Sequence, residues 1–249
     1  MNVSYEGFAY VYDYLMQDVP YDEWVNFLET KLQQNPAPGN QILEIACGTG
    51  ELSVRLAKAG FKVTGVDLSE DMLTVASQKA VQNQVDISLF QQNMCELDGL
   101  GCFDIATIFC DSLNYLKNPE EVQETFQKVY SHLKKDGLFI FDVHSIHKIE
   151  NIFTNQTFAD NDDNVSFIWN CFEGEYPYSV EHELTFFLID EETEKYSRFD
   201  ELHVQRTFKE NDYSQWLKTA GFQILDINAD FQHDRPDNAS ERIFFTCKK

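Results

Sequence analysis

Short apolar runs separated by stretches of helical spacing dominate the chain up to about residue 150. Runs at 41–46, 62–67, 86–91, 103–109 and 137–143 predict β-strands. Between most of them, 50–59, 70–82 and 119–133 repeat apolar side chains every three or four positions, which predicts helices. Ahead of the first strand, Tyr5 to Met16 and Tyr21 to Gln33 predict two more helices, and Pro36-Ala37-Pro38-Gly39-Asn40 breaks the chain behind them. Strands alternating with helices at this pace build a parallel sheet that binds its ligand at the carboxyl ends of the strands.

The rhythm changes between 151 and 208. Val165 to Phe172, Ser179 to Ile189 and Lys195 to Phe208 are rich in aromatic and branched residues, and turn-forming Glu173-Gly174-Glu175-Tyr176-Pro177 and Asp190-Glu191-Glu192-Thr193 join them. They predict a three-stranded antiparallel lobe. A helix at 211–220 and strands at 222–230 and 241–247 then return to the first pattern. The expected fold is α/β: a seven-stranded, doubly wound, mostly parallel sheet with helices on both faces and an inserted antiparallel β lobe. Residues 1–150 and 209–249 form one domain, with 1–40 as a helical cap, and 151–208 form the insertion. An insertion at this place would roof the ligand end of the sheet; packing or dimerisation explains it equally well.

The first strand ends in Ala46-Cys47-Gly48-Thr49-Gly50, where small residues let backbone approach a ligand. Asp67 closes the second strand 17 residues beyond Gly50, a spacing at which a carboxylate can take two ribose hydroxyls. Dinucleotide-binding turns read G-x-G-x-x-G and set pyrophosphate on a helix N-terminus. This turn reads A-x-G-x-G, places Ser53 where the third glycine would stand, and carries Glu44 two residues before it. A carboxylate there would repel pyrophosphate and attract a ligand bearing an ammonium and a sulfonium.

With these features the chain resembles the class I S-adenosylmethionine (SAM)-dependent methyltransferases, whose first motif runs acid-x-G/A-x-G-x-G. Leu68-Ser69-Glu70-Asp71-Met72-Leu73 is similar to the family's segment beside adenine, and Phe90-Gln91-Gln92-Asn93-Met94 to its third-strand motif, with Asn93 where the family usually has Asp. Phe103 to Ile108 matches the fourth strand, and Cys110-Asp111 falls in the loop that faces the transferred methyl. Leu133 to Leu138 and Trp216 to Phe222 resemble the turns into the fifth and sixth strands. The resemblance implies a cofactor site of Glu44, Ala46, Cys47, Gly48, Gly50, Asp67, Leu68, Met72, Asn93, Met94 and Cys110. It also implies an N-terminal tyrosine over the cofactor, for which Tyr5 and Tyr12 are the candidates. The sulfonium already activates the methyl, so the protein mainly aligns a nucleophile in a dry pocket, and a base is needed only for a protonated acceptor. His144, two residues after Asp142 at the end of the fifth strand, is the candidate base, with Asp111 behind it; a hydrogen-bonding role in the loop is the plainer explanation.

Composition narrows the reading. At 249 residues and 43% apolar the chain can bury a sizeable core. No apolar run approaches the roughly 18 residues of a membrane span, and the first ten residues hold Glu6 and no basic side chain, so a cytoplasmic protein is expected. Six cysteines lack any C-x-x-C or zinc-like spacing with histidine, so no metal site is expected. The net charge of −23 is spread evenly, with 10 basic against 22 acidic residues up to position 150 and 9 against 20 beyond it. Binding to nucleic acid phosphates would begin from repulsion. The expected activity is transfer of a methyl from SAM to an oxygen or nitrogen of a small-molecule acceptor by in-line displacement, releasing S-adenosylhomocysteine. The alternatives are methylation of modified tRNA or protein, and a non-catalytic SAM-binding module. Oligomeric state stays open, a homodimer included.

Overall fold

The computed structural model describes residues 12, 13, 16, 18–162, 164–190, 193 and 195–249. The helix expected at Tyr5 to Met16 falls largely outside them, as does Tyr5; Tyr12 and Asp13 are helical. Helix α1 (Tyr21–Gln34) buries Tyr21, Trp24, Phe27, Leu28 and Lys31, a three-and-four spacing that presents one face to the sheet. The chain then alternates through β1 (Gln41–Ile45), α2 (Glu51–Lys58), β2 (Lys62–Asp67), α3 (Glu70–Gln82), β3 (Ile87–Gln91), β4 (Phe103–Ile108), α4 (Pro119–His132) and β5 (Leu133–His144).

These strands order as β3-β2-β1-β4-β5, all parallel, so the chain runs outward from β1 and then crosses back to β4. That reversal opens a crevice at the carboxyl ends of β1 and β4. Alternation along each strand builds a core on both faces. Ile42, Ile105, Ile140 and Phe244 pack under α1 and α2, while Leu43, Ala106, Phe141 and Phe245 pack under α4 and α5 (Glu210–Ala220). Two further strands, β10 (Gln223–Ala229) and β11 (Arg242–Lys248), close the sheet antiparallel, with β11 against β5, giving the seven strands expected.

Between β5 and α5 lies a second, antiparallel sheet of β6 (Thr157–Asn161), β7 (Val165–Glu173), β8 (Ser179–Asp190) and β9 (Lys195–Arg206). It has four strands where the sequence predicts three. The additional strand, Thr-Phe-Ala-Asp-Asn, is an edge strand exposed along most of its length, so it carries no apolar alternation to reveal it. Strand β5 also begins earlier than predicted: Leu133 leaves α4 directly and pairs with Phe103. The second sheet is stitched to the crevice from one end. Asn114 Nδ2 donates to Arg206 O at 2.8 Å, and Thr207 Oγ1 donates to His144 O at 2.6 Å.

Candidate active site

The turn after β1 is built from alternate left-handed residues: Ala46 (φ 58°), Gly48 (φ 54°) and Gly50 (φ 77°). The two glycines serve different needs. A methyl at Gly50 would sit 2.9 Å from the Ala76 Cβ, so this glycine lets α2 start against α3; a methyl at Gly48 would meet nothing within 4 Å. The open side of Gly48 faces the crevice, where backbone and ligand can come close. Asp67 braces the turn from β2, accepting from Gly48 N at 2.8 Å and from Ser69 N at 2.9 Å. Ser69 in turn caps α3 by accepting from Met72 N at 3.3 Å. Asp13 reaches the turn from the N-terminal side, accepting from Thr49 Oγ1 at 2.5 Å and pairing with Lys79 Nζ at 2.7 Å.

Glu44 is buried beneath the turn and accepts from Ser53 Oγ. Burial pushes its carboxyl up to about 8, against the Ser53 hydrogen bond and with added repulsion from Asp67. Without a cationic neighbour it is therefore protonated at neutral pH. Burial also pushes the Cys47 and Cys110 thiols up, so both are neutral walls and not nucleophiles.

A second cluster lies across the crevice. Cys110 (φ 54°) and Asp111 (φ 52°) are consecutive left-handed residues, a conformation that costs non-glycine residues on the order of 1 to 2 kcal/mol each. It is held by Asp142, whose Oδ2 accepts from Asp111 N at 2.9 Å. Arg242 bridges the two carboxylates, donating from Nη1 to Asp142 and from Nη2 to Asp111 Oδ1 at 2.9 Å, with its guanidinium over the Trp24 ring. Trp24 Nε1 completes the cluster by donating to Asp142 Oδ1 at 2.9 Å.

The other Asp111 oxygen, Oδ2, lies 3.2 Å from His144 Nε2 and accepts from Gln205 Nε2 at 2.9 Å. Burial alone would raise Asp111, but His144 and Arg242 more than reverse it and hold the carboxyl far below its usual range. Burial lowers His144 below its usual value in spite of Asp111, so the imidazole is neutral. An ionised carboxylate only accepts, so His144 carries its proton on Nε2 and leaves Nδ1 a bare lone pair. Among the described residues, that buried Nδ1 has no hydrogen-bond partner.

Both clusters line one cavity of about 890 Å³, the range of small-molecule sites. Of the residues the sequence singled out, Tyr12, Glu44, Ala46, Cys47, Gly48, Cys110, Asp111 and His144 line it. Gly50 sits behind the turn as the N-cap of α2. Asp67, Leu68, Met72, Asn93 and Met94 lie outside the cavity, along the chain that follows β2 and β3. Leu68 is exposed there, and Asn93 Oδ1 accepts from Cys95 N at 3.0 Å to cap a 3-10 turn over Met94–Glu96. No motif or spacing marks Arg242, Trp24 or Gln205. Their roles come from contacts between elements up to 131 positions apart. On the lobe side, Phe153, Phe167, Trp169 and Phe186 give the cavity aromatic walls.

The residues fit a cationic amino-acid nucleoside. Gly48 leaves space for it, Glu44 is a buried carboxyl whose charged form a neighbouring cation would favour, and Asp67 ends the strand beside the turn. Among the described residues no three His, Cys, Asp or Glu side chains gather as a metal site, and no helix is long and apolar enough to cross a membrane.

Comparison with known proteins agrees with this geometry. A family model described as a methyltransferase domain matches residues 42–137. A protein from Geobacillus sp. strain WCH70, named provisionally as a methyltransferase, is 54% identical over 248 residues, covering 99% of this chain and 100% of the relative. The crystal structure of a SAM-dependent methyltransferase from Clostridium acetobutylicum ATCC 824 is 33% identical, with a TM-score of 0.88 and 98% of both chains covered. SAM-bound CalS10, an amino pentose methyltransferase from Micromonospora echinaspora, shares the fold with a TM-score of 0.75 at 16% identity, over 96% of this chain and 95% of that chain.

Proposed function

Because the chain belongs to the class I SAM-dependent methyltransferases, we propose that it methylates an oxygen or nitrogen of a small-molecule acceptor, with His144 as general base and Asp111 as the group that orients it. The observation that carries this reading is that His144 lines the cavity with its Nε2 held by Asp111 and its buried Nδ1 left without a partner among the described residues. When bound, SAM supplies a methyl activated on sulfonium and departs as S-adenosylhomocysteine.

The chain's own residues do the rest. Ala46, Cys47, Gly48 and Gly50 form the turn that admits the cofactor, Glu44 answers its ammonium, and Asp67 takes its ribose. Leu68, Met72, Asn93 and Met94 flank adenine, with Asn93 offering the amide face its turn leaves free. Tyr12 and Cys110 close the methionine side. As the acceptor attacks carbon, its proton passes to His144 Nδ1, and Asp111 balances the imidazolium that forms. Arg242 and Asp142 hold Asp111 in its left-handed conformation, so the base does not drift.

The division into a cofactor domain (1–150 and 209–249) and a covering lobe (151–208) belongs to the same reading. The lobe's Phe153, Phe167, Trp169 and Phe186 exclude water and suit an acceptor with an apolar or flat part. The CalS10 likeness is a precedent for a small acceptor bearing an amine. A net charge of −23 argues against nucleic acid, and six free cysteines suit the reducing cytoplasm.

The test uses SAM labelled on its methyl, incubated with the purified chain and a cell extract separated by ultrafiltration. Label is expected in the small-molecule filtrate, and His144→Gln is expected to remove most of it. Label retained with tRNA or protein would overturn the acceptor class, and undiminished turnover in His144→Gln would overturn the base.

A further inference from the structure

The inserted sheet touches the candidate base through a chain of hydrogen bonds that runs in one direction. Trp169 Nε1, which can only donate, points its proton at His182 Nδ1 at 3.0 Å, a nitrogen that Cys171 Sγ also approaches at 3.2 Å. His182 is 4% exposed, and burial lowers it to about 4, so the ring is neutral with Nδ1 bare and its own proton on Nε2. That proton meets Gln205 Oε1 at 3.2 Å. An oxygen engaged there leaves the Gln205 amide nitrogen on the other side, where it donates to Asp111 Oδ2 at 2.9 Å. The same oxygen takes the Nε2 proton of His144. Each link fixes the next: the indole sets the His182 tautomer, the tautomer sets which way the Gln205 amide faces, and the amide helps hold the carboxylate that sets the tautomer of His144.

We infer that Trp169, His182 and Gln205 form a positioning relay through which the inserted lobe engages the Asp111 carboxylate and tempers its pull on His144, whose Nε2–H Asp111 holds. The relay makes the lobe a working part of the base as well as a cover. It rests on the proposed base only for its purpose; the hydrogen-bond order stands by itself. The charged and titratable groups facing His144 are Asp111, Arg242, Lys148 and His182, and only Asp111 draws the imidazole toward its charged form. Gln205 shares Asp111 with His144. Loss of its amide proton leaves Asp111 with one fewer competing donor and strengthens its hold on the imidazolium.

The full chain labelled with 15N-histidine and observed by long-range proton–nitrogen NMR gives the tautomer and titration midpoint of each imidazole without any acceptor. Both His182 and His144 are expected as Nε2–H tautomers in the unmodified protein near pH 7. Gln205→Met is expected to raise the His144 midpoint by ~0.5 to 1 pH unit and Gln205→Glu to raise it further. A purely structural Gln205 would change the melt and leave that midpoint alone. Observing His182 with its proton on Nδ1, or an unmoved His144 midpoint in both folded variants, would overturn the relay; the tautomer measurement decides even if neither variant folds. Unchanged turnover in His144→Gln would remove the base and leave the relay intact, so the two failures are read separately.

Discussion

Glu44 has a proton to lose, and its loss is measurable. Its folded-state pKa of about 8 lies above the ordinary carboxylic range, so the folded chain keeps a proton that the unfolded chain releases near pH ~4.5. The stability tied to that proton is present at low pH and is lost progressively as pH rises from there toward 8. A ligand ammonium placed beside Glu44 restores the charged form, so S-adenosylhomocysteine should release ~1 proton per site on binding at pH 7. Calorimetry in two buffers of different ionisation enthalpy checks this, and equal apparent enthalpies would exclude it. Asp67→Ala should weaken SAM by ~2 to 4 kcal/mol through the lost ribose contacts and the unbraced Gly48; titration calorimetry reads the affinity, and a change within about twofold would remove the ribose assignment. His144→Gln should cut kcat by ~10²- to 10⁴-fold with cofactor affinity nearly unchanged, as read by initial rates beside direct binding. That Glu44, Asp111 and His144 line the cavity was legible because they lie on or beside strands whose carboxyl ends face it. Arg242 and Gln205 were not, because hydrogen bonds between β9, β11 and the loop after β4 leave no trace in spacing.

The elements were legible wherever period and burial agree. All five parallel strands and the helices α2 to α5 fall within a few residues of their predicted places, since each needs an apolar stripe of its own period to reach the core. Strand β6 escaped because four of its five residues are exposed, which leaves no apolar alternation to read. The start of β5 escaped because Leu133-Lys134-Lys135-Asp136-Gly137 has the composition of a turn, though it pairs as strand. In the turn between β1 and α2, the motif reads two glycines alike and the structure separates them. Gly50→Ala forces a left-handed alanine into the Ala76 methyl and should lower stability by ~2 kcal/mol or more. Gly48→Ala carries only the backbone strain of ~1 kcal/mol, because its Cβ meets open space. That same Cβ occupies the side offered to the ligand, so cofactor affinity should fall more at Gly48 than at Gly50. Denaturant melts beside binding titrations of the two variants decide it, and equal affinity losses would refute the division of labour.

At the scale of the whole molecule the excess of acid is the controlling fact. Acidic residues outnumber basic ones both up to residue 150 and beyond it, so the net field of the folded chain is self-repulsive. Several basic side chains are already committed: Arg242 to Asp111 and Asp142, Lys31 to Asp226, and Lys79 to Asp13 and Glu51. Screening therefore relieves more repulsion than it removes attraction. Raising salt from ~0.01 M to ~0.15 M shortens the screening length from ~30 Å to ~8 Å, which reaches charges across the molecule while sparing the buried pairs around Arg242. The melting temperature should rise over that range, a trend that scanning calorimetry would follow. The same field predicts that added tRNA is not retained even at the lowest salt, where phosphate contacts are strongest. A melting temperature that falls with salt would mean that surface ion pairs outweigh the net repulsion, and tRNA held at low salt would mean that a local basic surface outweighs the net charge.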